Sequence, residues 1–202
     1  MDVGQHVDEP LAVAARFLAA LDSRDWDTAA SFVATDTIHE LQRWIVWFLR
    51  HERVETPERA SDTRFPAIRE SLNIGSAHEA ERMRPVSLLA NFMAGTSQQI
   101  EIAVRGSGFD ADSAGQRRVQ RTIQSSAPAR AAGAPRLFVM YTVANSTLAA
   151  PQKSQTHRLE MVHTSEGWRV WNADITGTGN GTLRPPLPAE VAFPGSPPSD
   201  RR

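Results

Sequence analysis

Residues 16–41 read RFLAALDSRDWDTAASFVATDTIHEL. An apolar run meets an acidic break around Trp26, a second short apolar run follows, and His39 and Glu40 then open a third. Upstream, Asp8, Glu9 and Pro10 form a helix start, because a carboxylate caps free backbone N–H groups and proline suits the first turn. From there to about Leu21, Leu11, Ala14, Phe17, Leu18 and Leu21 recur at spacings of three and four, which puts them on one face and leaves Arg16 and Asp22 toward water. Asp25 is placed to cap a short helix over Trp26 to Val33, and Asp36 or Thr37 a third helix over Ile38 to His51. Its apolar stripe is Ile38, Leu41, Trp44, Ile45, Phe48 and Leu49.

Downstream, the charged text of 52–66 reads as an exposed connector. Short helical turns are expected over Ala67 to Leu72 and Ser76 to Met83, and a helix over Val86 to Met93 after Pro85. Past Gly95, Ile100, Ile102 and Val104 alternate with other residues, which predicts a strand that pairs with a more polar strand in GQRRVQRTIQ (115–124). The Ala/Pro/Gly-rich stretch 125–135 reads as a loop. RLFVMYTVANST (136–147) is apolar on both faces and is expected to be a central strand. In 154–167 strand alternation sets Leu159 and Met161 on the side of His157 and His163, opposite Arg158, Glu160 and Val162. The SEG turn then leads into WRVWNADIT, forming a hairpin. Helices first and antiparallel strands after is an α+β order. One domain over 1–176 is expected, followed by a disordered Gly/Pro-rich tail, 177–202.

Composition narrows the functional classes. The chain has 202 residues with 22 Lys plus Arg against 23 Asp plus Glu and a pI near 6.6, which gives no electrostatic signature of a nucleic-acid binder. No cysteine is present, so disulfides, thiolate catalysis and cysteine-ligated metals are excluded. The N-terminal apolar run follows acidic residues, unlike a signal peptide, and no window approaches the roughly 20 apolar residues of a membrane span. A cytoplasmic protein with no membrane partner is expected.

The helix 1 ending RFLAALDSRDWDTAASFVATD, together with MVHTSEGWRVW (161–171), resembles the NTF2-like superfamily, which includes ketosteroid isomerases, SnoaL-type cyclases and non-catalytic members. The likeness spans about residues 9–176, with inserted loops near 52–66 and 125–135. It implies a curved antiparallel sheet wrapped by N-terminal helices into a cone that holds a pocket. Isomerases of this type carry a tyrosine oxyanion donor in helix 1, where this chain has Phe17, and a general-base aspartate that aligns with Leu41. Neither a phenyl ring nor a leucine can fill those roles.

His39 and Glu40 are the weak catalytic candidates, but neighbours in a helix point about 100° apart, so at most one faces the interior. HELQR (39–43) and HEAER (78–82) lack the second histidine of a zinc helix motif. DADSAG (110–115) opens like a calcium loop, but Arg121 stands where the bidentate glutamate belongs. His157 and His163 are about 20 Å apart along a strand, too far to share a metal, and read as partly exposed strand residues. Gly177, Gly179 and Gly181 precede prolines rather than a helix. Arg117, Arg118 and Arg121 lack interleaved aromatics and read as a solvated edge strand. Trp168 and Trp171 point to opposite faces of the last strand. No metal or cofactor is implied.

The expected pocket lining is Phe17, Leu41, Trp44, Ile45, Phe48, Met140, Tyr141 and Trp168, with the Tyr141 hydroxyl the best donor for a ligand. The functional expectation is a non-catalytic small-molecule-binding or assembly domain that takes a small apolar ligand and forms a homodimer through its sheet. The alternatives are an isomerase- or cyclase-type enzyme and a protein-interaction module.

Overall fold

The corner inside residues 16–41 turns on a single left-handed residue. In the computed structural model, which describes residues 8–51, 72, 74, 76–106, 119–128, 133–145, 155–173 and 183, helix α1 (Asp8–Ser23) ends at Arg24, whose φ is 61°. Arg24 N–H donates to Leu21 C=O at 3.3 Å and Asp25 N–H to Ala20 C=O at 2.9 Å. This pair of bonds satisfies carbonyls that a helix end leaves open, in an arrangement that usually employs glycine at the left-handed position. Asp25 then caps α2 (Trp26–Ser31), its Oδ1 accepting from Thr28 N–H at 3.1 Å. The side-chain hydrogen bond to Thr28, followed by the backbone one, holds its carboxyl below the ordinary value of 3.8.

After α2 the chain becomes part of the sheet. Val33 bridges Val170 in parallel, Ala34 N–H donates to Val170 C=O at 2.8 Å, and Val170 N–H donates to Phe32 C=O at 2.9 Å. Helix α3 (Thr35–His51) follows, and its fully buried Thr37 donates its hydroxyl to Trp171 C=O at 2.8 Å. Helices α4 (Ala77–Arg82) and α5 (Pro85–Gly106) pack against α3. Ser76 caps α4 through Glu79 N–H, and Gln42 on α3 donates to Ala80 C=O at 3.1 Å.

The strand expected over Ile100 to Val104 is instead the last part of α5. Ile100 and Val104 are four apart, a spacing that a helix face shares with a strand face. Gly95 costs only about 1 kcal/mol inside a helix, and the flanking Ala, Gln, Glu and Arg residues favour helix. The expected pairing of that segment with the next strand is therefore replaced. Strand β1 (Val119–Pro128) pairs with β2 (Arg136–Asn145), running through the first residues of the expected 125–135 loop.

Strands β3 (Gln155–Thr164) and β4 (Gly167–Asn172) form the expected hairpin. Its turn uses Gly167 at φ 91°, and Thr164 Oγ1 both donates to Gly167 C=O at 2.9 Å and accepts from Glu166 N–H at 3.1 Å. The sheet order is β1-β2-β3-β4, antiparallel and open. The architecture is thus α+β, with the N-terminal helices packed on an antiparallel sheet. β2 lies inside the sheet, as its two-sided apolar sequence predicts.

Helix α1 touches all four strands. It covers an inner face where Val139, Tyr141, Leu159, Met161 and Val170 are completely buried, and its own Ala14 and Phe17 join the same core. Of the stretch expected to be a disordered tail, Leu183 is described. It is buried in the core, and its N–H donates to Ala173 C=O at 3.0 Å. The 52–66 connector, the calcium-like 110–115 segment, Arg117, Arg118 and the glycines at 177, 179 and 181 lie outside the described residues.

Two predictions follow from the corner. Arg24→Gly removes the left-handed penalty and should raise unfolding stability by about 1 kcal/mol in urea titrations. A loss of stability would show that Arg24 is held by more than its backbone. Because the Asp25 carboxyl is held low, its stabilising contribution is present above the unfolded-state value and disappears as pH falls through the folded-state value. Asp25→Ala should therefore lower the thermal midpoint at pH 6, by a margin that narrows as pH falls below 3.8. A margin that does not narrow in acid would contradict the role of the ionised carboxylate in the cap.

Candidate functional site

Polar side chains gather at one end of the inner sheet face. In β2 and β3 Tyr141 stands directly opposite His157, and their rings stack with centroids 5.6 Å apart and 30° between planes. Tyr141 is fully buried and His157 is 9% exposed. His157 shares strand parity with Leu159 and Met161, both completely buried, so alternation alone carries it inward. The reading of His157 as a partly exposed strand residue is corrected accordingly. His163, at the other end of the same strand, is exposed and meets Trp168 edge-on at 5.3 Å.

On β1 the register sets Ile123 opposite Tyr141 and Arg121 opposite Val143, so Arg121 lies diagonal to Tyr141. Its side chain is 6% exposed and is held by Asp22 near the end of α1, itself 23% exposed. Asp22 Oδ1 accepts from the guanidinium, and its Oδ2 accepts from the Arg121 backbone N–H at 3.0 Å. One carboxylate thus meets a buried cation and also occupies a backbone donor on the sheet edge. The expectation of a solvated Arg121 and a water-facing Asp22 gives way to this pair of a buried guanidinium and a partly buried carboxylate. Burying a guanidinium is costly unless it is paired, and the Asp22 carboxylate supplies a partner.

The expected pocket residues separate into groups. Phe17 lies in α1, which crosses the sheet, and Trp168 packs partly buried against the same core. Met140 is adjacent to Tyr141 in β2 and so projects from the opposite, outer face, partly exposed. Leu41, Ile45 and Phe48 are buried on α3, and Trp44 stacks on Phe48 at 5.6 Å and meets Phe92 of α5 edge-on at 6.5 Å. They belong to the helix layer. His39 is exposed and Glu40 half-buried on α3; the imidazole that meets Tyr141 is His157.

The outer face has its own pattern. Arg158 lies over the Phe138 ring at 4.6 Å and Arg136 over the Trp171 ring at 4.6 Å. Arg136 also donates to Glu160 at 2.9 Å. Such stacks place guanidinium groups flat on aromatic faces and keep both partly in water.

Chemically, the inner polar end offers a phenol, an imidazole and a charge-neutralised guanidinium beside an apolar wall. Among the described residues no group of three His, Cys, Asp or Glu side chains is arranged to hold a metal, and no helix is long and apolar enough to cross a membrane. Comparison with protein-family models, curated proteins and solved structures finds no match to this chain.

The Asp22–Arg121 pair yields a direct test. Asp22→Ala leaves a buried guanidinium without its carboxylate and should cost about 3 kcal/mol. The double change Asp22→Leu with Arg121→Met should recover most of that loss in urea unfolding. A cost below about 0.5 kcal/mol, the range of an exposed ion pair, would contradict the buried assignment.

Proposed function

We propose that this chain is an NTF2-like, non-catalytic domain that binds a small, largely apolar molecule between its helices and its sheet, in a cytoplasmic setting. The observation that carries the reading is the buried Tyr141–His157 pair at one end of an otherwise apolar inner face. Binding sites for small molecules combine apolar walls with a few placed polar groups that fix orientation. A phenol and an imidazole side by side supply such groups, and Val139, Leu159, Met161 and Phe17 form the apolar core around them.

A binding role is favoured over an isomerase role by two buried apolar side chains. Phe17 is fully buried and Leu41 is 1% exposed, and these are the positions where the resemblance would require a hydroxyl donor and a carboxylate base. The α3 candidate His39 is exposed and so cannot replace either group inside the core.

Native and denaturing mass spectra of protein purified from its own host test the proposal. The native mass should exceed the chain mass by a small-molecule increment. Tyr141→Phe, which keeps the ring and removes only the hydroxyl, should retain the fold and reduce the liganded fraction several-fold. Equal native and denatured masses, with no ligand in an organic extract, would sink the binding reading.

Assembly is the second reading, favoured by the partly exposed Phe138, Met140 and Trp171 on the outer sheet face beside Arg136 and Arg158. Aromatic residues and arginines are enriched where proteins associate. If two copies pair through this face, light scattering should report a dimer for the parent and a monomer for Phe138→Glu combined with Met140→Glu, at unchanged circular dichroism. A monomeric parent at all accessible concentrations would remove this reading and leave the binding proposal standing.

A further inference from the structure

We draw no further inference here: the strongest candidate, the outer-sheet patch where Arg158 stacks over Phe138 and Arg136 over Trp171, has its Arg136 and Arg169 charges met by Glu160 and Glu166, and nothing in the structure shows what covers it.

Discussion

Val170 makes two backbone hydrogen bonds to the segment between α2 and α3, donating to Phe32 and accepting from Ala34. Much of the architecture depends on this join. It covers an edge of the sheet that would otherwise present open donors and acceptors, and it fixes where α3 begins. The Thr37 hydroxyl then reaches Trp171 C=O on the next residue of the same strand. Three bonds in succession thus register the helix layer against β4, where nonpolar contacts alone would permit sliding. α1 closes over the inner face, and Asp22 occupies an Arg121 N–H on β1, the opposite edge strand. Both edges of the open sheet are therefore engaged by parts of the N-terminal helical region.

The core is not chemically uniform. Its far end holds Met161 and Val170, completely buried, with Trp168 packed beside them, whereas the end near α1's C-terminus holds Tyr141, His157 and the Asp22–Arg121 pair. A domain of this size gains no stability from a buried ion pair that a well-packed hydrophobic pair could not match. Buried polar groups do confer directionality, because each must find its partner and only one arrangement of helix and sheet allows it.

Much of the fold was legible because local signals agreed. The 3.6-residue stripe of α1, the Asp25 cap and the SEG turn each pointed to the element that formed. The segment carrying Ile100, Ile102 and Val104 reads as a strand because three residues make too short a pattern to separate two periodicities, and the longer helical run before Gly95 prevails. The site was less legible. Tyr141 was identifiable from its strand, but its meeting with His157 depends on the β2–β3 register, a property of pairing that no single strand encodes. Arg121 reads as edge protection from its charge, although it shares strand parity with Ile123. Its partner, Asp22, lies 99 residues away in sequence.

Leu183 is the outlying member of the core. Its N–H returns to Ala173, ten positions earlier, and closes a loop through glycine-rich sequence. Closing a loop of that length costs on the order of 2 kcal/mol in chain entropy, and burying one leucine side chain regains about the same amount. The two nearly cancel, so this anchor adds little to global stability. What it determines is position: a leucine ten residues past Ala173 is held beside that end of β4 and completes the core there.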